Sequence, residues 1–477
     1  MTRDRESDLA ARLDRLAWNG THTTVLVALG AGWLFDSFEV QLFGSAVGPL
    51  GEHFGASVFQ RDAILAVWLG GILLGALSGG RLADRFGRRR MFVLTLLWYA
   101  GFTVLTGTSP TLGFVYGFRF LAALGVGAEY AIVNSAIAEL MPARVRGTAS
   151  AAVMNFWPAG AVLAGLVGYL LLNVLALPDA VSWRYLFVAG GLIALVVLYF
   201  RRRVPESPRW LAAQGRYGEA EAVVVMLEAR SGVSHPGAAV PSDPGEDPGP
   251  GPRRAVGTLL RQYRGRLVLG AALDLAESFG YYGIFALLSV VVFARIHLGP
   301  AQVPFFFVAG NLGGLAGGLG MSVVLDRVGR HRTVAACYLL AAAGVGLLAW
   351  ATGTGSVAWL TVSYLAANAF ATAAWTSAYP TFTELFPTPV RAAGVGTCVA
   401  VGRVGAIVGT LALPDIATRL GSTASYLLVG ACWLAGAAAI GAYRLGGGVD
   451  GATRPLEAVS LLRPVPTRPR STLSLPR

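Results

Sequence analysis

"ADRFGRRR" at residues 83–90 returns as "LDRVGRHR" at 325–332. Two further pairs repeat at nearly the same distance. "ELMPARVRG" at 139–147 returns as "ELFPTPVRAAG" at 384–394, and Asp36 and Glu39 have counterparts in Asp274 and Glu277. One unit, duplicated and fused, explains all three. Internal repeats of this kind, with a site between them, are how secondary transporters are commonly built.

The surroundings of the repeats decide the solvent. Of 477 residues, 55% are hydrophobic and only 13% charged, whereas soluble domains carry about 25% charged residues. The mean hydropathy is +0.59. Apolar runs of roughly 20 residues recur throughout, the length a helix needs to cross about 30 Å of hydrocarbon. They are too long for strands and lack alternation. Spans are expected near 22–48, 60–82, 91–108, 111–140, 148–173 and 183–200, then 267–295, 301–325, 333–352, 356–386, 392–414 and 423–443. The chain therefore reads as an all-α polytopic membrane protein of twelve transmembrane helices in two six-helix pseudo-repeats.

The expected organisation is a cytoplasmic tail (1–21), an N-terminal bundle (22–200), a linker (201–266), a C-terminal bundle (267–443) and a Pro/Arg-rich cytoplasmic tail (444–477). In the linker, Ser207 before Pro208 marks a helix start, opening a polar-faced helix on the inner membrane surface. "SHPGAAVPSDPGEDPGPGPRR" reads as a disordered Pro/Gly stretch.

The net charge of +12 comes entirely from arginine, with no lysine. These residues gather in short loops: Arg81, Arg85 and Arg88–Arg90 after span 2, Arg201–Arg203 after span 6, and Arg327, Arg330 and Arg332 after span 8. That is the positive-inside pattern, which puts both termini in the cytoplasm and argues against nucleic acid as a partner. Such exclusive use of arginine suggests a GC-rich bacterial genome. Cys337, Cys398 and Cys432 lie in separate apolar runs, so neither a disulfide framework nor a metal site is expected. The first twenty residues mix both charge signs and argue against a cleaved signal peptide.

"GGRLADRFGRRR" resembles the loop between helices 2 and 3 of the major facilitator superfamily, with Gly80, Asp84, Arg85, Gly87 and Arg88 in its pattern. The second copy keeps Asp326, Arg327, Gly329 and Arg330. "RFLAALGVGAEY" from Arg119, "PESPRWL" from Pro205, "YPTFTELFPTPVRAAGVGT" from Tyr379 and "GRVGAIVG" from Gly402 are similar to the metabolite–proton symporter branch. That branch includes aromatic-acid and niacin transporters and relatives of synaptic-vesicle glycoprotein 2. The resemblance implies alternating access by a working monomer in the cell membrane, driven by a proton gradient without a cofactor. It further implies that helices 1, 4, 7 and 10 line the cavity. Asp84 is expected to act as a conformational latch within a gate set that also holds Glu139, Arg146, Glu384 and Arg391.

The acids of "WLFDSFEVQ" need a reason to exist. At the centre of an inserting helix a charged residue costs about 2.5–3.5 kcal/mol, against about 0.3–0.6 returned by each Leu, Val or Phe. Asp36 and Glu39 share one face at i and i+3, so that face points into the bundle. Counting 1.5 Å per residue from the outer ends of their spans puts Glu39 and Arg119 at about the same depth. Asp36, Glu39 and Arg119 are the expected proton-coupling set, with a permanent buried ion pair as the plainer alternative. Glu129, Asp274, Glu277, Tyr281, Trp375, Tyr379 and Arg403 are the expected substrate-binding set. Arg403 has no arginine counterpart in the first half, where Pro158 stands. It suits bidentate capture of a carboxylate, the alternative being a pair with Glu129 or Asp274. The acids on helix 7 depart from the branch and allow a cationic or zwitterionic substrate, or a second proton site.

The expectation is a secondary transporter of a small organic solute, a carboxylate such as an aromatic acid or nicotinate-like compound, by proton symport. Efflux or antiport, and a sugar or polyol facilitator, are the rivals within transport. An enzyme would need a metal cluster, a nucleophile elbow or a phosphate loop, none of which the sequence carries. A transport-dead receptor would not need both copies of the gate motif.

Overall fold

The computed structural model describes residues 2–175, 177–231, 257, 259–288, 303–386 and 388–448, all-helical with no strand among them. The first half comprises α1 (Thr2–Arg15), α2 (Gly20–Phe54), α3 (Val58–Phe86), α4 (Arg88–Gly107), α5 (Leu112–Leu140), α6 (Arg146–Met154), α7 (Phe156–Tyr169) and α8 (Asp179–Arg201). Two short helices, α9 (Pro208–Ala213) and α10 (Tyr217–Ser231), follow. The second half comprises α11 (Arg264–Leu287), α12 (Val303–Val328), α13 (Arg330–Thr354), α14 (Val357–Glu384), α15 (Thr388–Leu420) and α16 (Ser422–Leu445). Eleven described spans are long and apolar enough to cross a membrane, and α11 occupies the seventh place among twelve. The Pro/Gly stretch of the linker and residues 449–477 lie outside the described residues.

The repeated motif is a helix–glycine–helix joint. Gly87 (φ 92°) and Gly329 (φ 94°) are single-residue links, α3 to α4 and α12 to α13, in a backbone region that side chains with a Cβ rarely adopt. Arginine then opens each following helix. Arg88 donates to the Ala83 carbonyl (3.0 Å) and Arg330 to the Leu325 carbonyl (3.1 Å). The duplication read from sequence is therefore preserved at the level of individual hydrogen bonds.

Glycine also sets the helix spacing. On α3, Gly71, Gly75 and Gly79 lie against the Phe120, Leu124 and Ala128 backbone of α5, where a Cβ would overlap it. In the second half Gly313 and Gly317 of α12 do the same against Leu365 and Ala369 of α14. Small residues allow such close approach in lipid, where no hydrophobic force draws helices together.

Span 5 is not one straight helix. Pro158 has no N–H to give the Met154 carbonyl, and the helix breaks at Asn155 into α6 and α7, continuing through a π turn at Leu170–Val174. The surface helix expected after Pro208 is likewise two pieces. Ser207 caps α9 by accepting from the Trp210 amide (3.1 Å), and Gly215 (φ 74°) turns the chain before α10.

Residues 2–15, read from sequence as a tail, form a helix. Leu9, Leu13 and Leu16 make a stripe buried against Trp210, Leu211, Ala220, Val224 and Leu227 of α9 and α10. Arg12 fastens it, donating to both carboxylate oxygens of Glu228 (2.8 and 2.7 Å) and to Glu221 (2.7 Å). Hydrogen bonding to Glu228 holds the Arg12 guanidinium above its ordinary pKa.

The halves meet on the arginine-rich side. Asn155 donates to Ser322 (2.8 Å), and the Thr148 amide donates to Asp326 (2.9 Å). Gly396 of α15 lies against the Ala76 backbone of α3.

Candidate functional site

In the first half, three acids face two guanidiniums. Glu39 on α2 accepts from Arg119 on α5 at 2.6 Å, and from Thr103 Oγ1. The Arg119 guanidinium also lies 5.4–5.6 Å from the rings of Phe43, Trp68 and Phe187. Counting along the helices thus placed this pair in reach, and the structure brings the two side chains together.

Asp36 sits apart from Arg119. Its surroundings are Glu129, Arg201, Glu39 and Tyr99, and among the described residues its buried Oδ1 has no hydrogen-bond partner. Glu129 on α5, expected among substrate-binding residues, is ion-paired with Arg201. From sequence Arg201 read as one of three loop arginines after span 6. Helix α8 instead extends to it and buries it at 1% exposure, where it also donates to the Phe92 carbonyl (2.8 Å) and Tyr99 hydroxyl (3.1 Å). A sequence signal existed: the mid-span acids Asp36, Glu39 and Glu129 outnumber Arg119, the one mid-span arginine of the first half, which called for a second cation.

In the second half, Arg403 on α15 is buried at 3% exposure. It donates to the hydroxyls of Tyr282 (3.2 Å) and Tyr379 (3.3 Å), and it lies over the rings of Tyr130 (5.3 Å) and Tyr282 (5.5 Å). Among the described residues its Nε has no hydrogen-bond partner. Among the described residues no carboxylate is within ion-pair distance, so neither Glu129 nor Asp274 neutralises it directly. Tyr130 and Tyr282 were not among the expected site residues, although each adjoins one in sequence.

Beside this guanidinium lies an aromatic cluster shared by both halves. Trp33 packs edge-on against Tyr130 (4.6 Å), Trp157 (5.8 Å), Trp375 (5.3 Å) and Tyr379 (6.2 Å). Trp157 donates its indole N–H to Tyr281 across the interface at 3.0 Å. Trp375, Tyr379 and Tyr281 are thus gathered at one place with Arg403, Asp274 and Glu277.

The gate residues fall into two matching knots. Arg88 pairs with Glu139 (2.9 Å), and its amide donates to Glu206 (2.9 Å). Arg330 is bidentate on Glu384 (3.0 and 2.9 Å) and reaches Asp326 (2.7 Å). Arg146 stands between Asp14 of α1 (3.4 Å) and Glu384 of the other half. Gly80 lies on α3, and Arg85 and Arg327 are exposed. The side chains of Asp84 and Arg391 lie outside the described set.

Comparison with known proteins agrees with this architecture. The model of the Major Facilitator Superfamily matches residues 29–410 and 275–466. A niacin transporter of Acinetobacter baylyi is 28% identical over 418 residues, 87% of this chain and 90% of that protein. A 4-hydroxybenzoate transporter of the same species is 26% identical over 381 residues, covering 78% and 80%. The solved structure of the proton:xylose symporter XylE superposes with a TM-score of 0.77 at 18% identity over 93% of this chain and 99% of that one, a likeness of fold.

Proposed function

The chain belongs to the Major Facilitator Superfamily and is a multi-pass membrane transporter of a small solute, not an enzyme; from that premise we propose that it carries an organic carboxylate by proton symport. The observation that carries this reading is Arg403: a buried, permanently charged guanidinium that bonds to tyrosines and, among the described residues, has no carboxylate within ion-pair distance. Burying a guanidinium that no carboxylate hydrogen-bonds is costly, even with Asp274 and Glu277 beyond ion-pair distance in the same site. A solute carboxylate, accepting from the guanidinium in place of the two hydroxyls, compensates it bidentately. Rings at Trp33, Trp375 and Tyr379 stand beside it to take the flat face of an aromatic acid. Relatives that transport niacin and 4-hydroxybenzoate support that solute class.

The proton belongs to Asp36. Glu39 and Glu129 have guanidinium partners, whereas Asp36 is the third acid beside two cations. A carboxyl that is neutral when walled from water and ionised when wet, with Arg201 near, has what coupling needs. Arg119 and Glu39 then form the fixed pair that holds α2 to α5. The chain works as a monomer without a cofactor, in a bacterial cytoplasmic membrane, with both termini on the arginine-rich, cytoplasmic side.

The test is uptake of nicotinate and 4-hydroxybenzoate by proteoliposomes holding wild type, Arg403→Lys or Arg403→Gln. Charged hydrogen bonds are worth about 1.5–3 kcal/mol, so Arg403→Gln is expected to raise the half-saturating concentration at least tenfold, and Lys less. Unchanged affinity in both variants rejects the carboxylate assignment.

A further inference from the structure

Arg403 leaves acid unbalanced in its own half. Asp274 and Glu277 stand one turn apart on α11, buried at 0% and 4% exposure. Among the described residues neither oxygen of Asp274 has a hydrogen-bond partner, and Glu277 accepts from Ser278 at 3.4 Å. No guanidinium is within ion-pair distance of either among the described residues. Arg403 is the cation that faces both. Tyr379 of α14, Tyr281 and Tyr282 of α11, Tyr338 of α13, Cys398 of α15 and Tyr130 of α5 are the other titratable groups that face the pair. The fold makes room for this acid: α15 has Gly402 where a Cβ would overlap the Asp274 carboxylate.

We propose that Asp274 and Glu277 form a second proton-binding site, so that each solute monoanion crosses with two protons and one net positive charge. The inference rests on the symport reading and assigns its stoichiometry. Two carboxylates beside one guanidinium leave one excess negative charge in a buried site; one shared proton removes it. When the solute carboxylate takes Arg403, that cation is matched to the solute, and the acid pair requires a second proton to stay neutral. This proton is bound on the side where solute enters and is released where solute leaves. Asp36 carries the other. Only O–H bonds form and break, and the balance is one anion and two protons per cycle.

Voltage separates this from one-to-one symport, because one-to-one transport of a monoanion is electroneutral. Proteoliposomes of wild type would be given an inside-negative potassium/valinomycin potential at equal pH, with labelled nicotinate and 4-hydroxybenzoate as probes. One net charge per cycle gives about tenfold accumulation for each 59 mV. The double variant Asp274→Asn/Glu277→Gln is expected to lose this response while a pH gradient still drives uptake. Wild-type uptake that follows the pH gradient and ignores voltage overturns the second site and leaves symport standing. Uptake that follows neither overturns both. A double variant that keeps the voltage response moves the second proton elsewhere and overturns the assignment. A measurement free of solute and turnover is infrared spectroscopy of the purified protein at neutral pH. It is expected to show a protonated-carboxyl band lost in the double variant; a band unchanged by the substitutions contradicts the proposal.

Discussion

Replacing Thr148 by Val tests whether the joint on the arginine-rich side is a latch. Thr148 belongs to the first half and Asp326 to the second, and both the amide and the hydroxyl of Thr148 donate to the same carboxylate oxygen. Asp326 keeps its bond to Arg330 at 2.7 Å whichever way the halves rock, since both lie in the second half. Of the bonds that Asp326 accepts, the one that opening must break is therefore that from Thr148. Valine removes the hydroxyl donor, keeps the β-branched shape and leaves the amide. A hydrogen bond to a charged group contributes about 1.5–3 kcal/mol. Because the Asp326 side chain is 18% exposed, the lower part of that range applies, and about 2 kcal/mol corresponds to a shift of roughly 30-fold toward the state open on that side. Spin labels on exposed positions of the two halves, read by pulsed electron resonance in nanodiscs, report the two populations. An unchanged distance distribution refutes the latch.

Other perturbations give equally definite expectations. Arg119→Met leaves Glu39 buried without its cation and should destabilise the protein by about 3–5 kcal/mol in chemical denaturation; adding Glu39→Gln should recover most of this loss. Gly127→Leu puts a side chain into the Ile72 backbone, and is expected to abolish folded yield on size-exclusion chromatography, whereas Gly346→Leu, with open space at its Cβ, should not. Arg12→Ala removes the three bonds that fasten α1 to α10, so limited proteolysis should cut near Arg15 faster than in wild type while the bundle stays intact.

What was legible in the sequence followed simple periodicities. Span number and the two-fold repeat came from apolar length and matching motifs, and the Glu39–Arg119 contact from equal depth on neighbouring helices. The aromatic cluster was half legible: Trp375 and Tyr379 stood out on a cavity-lining helix, but Tyr130 and Tyr282 gained meaning only once Arg403 lay between them. Arg201 was hidden by its neighbours, since a run of three arginines at a helix end looks like one anchor when its members point different ways. The α1 helix was hidden by charge. Leu9, Leu13 and Leu16 keep helical spacing, yet the acids and arginines between them obscured it, and their partners lie some 200 residues away on α9 and α10.

The account turns on Asp36 as the acid that neither guanidinium neutralises. The most direct measurement is pH-gradient-driven accumulation of nicotinate and 4-hydroxybenzoate in proteoliposomes, wild type beside Asp36→Asn. The account predicts concentrative uptake by wild type and only equilibration, with no response to the gradient, by the variant. If the variant accumulates solute as wild type does, Asp36 is a structural residue and the coupling assigned to it is wrong.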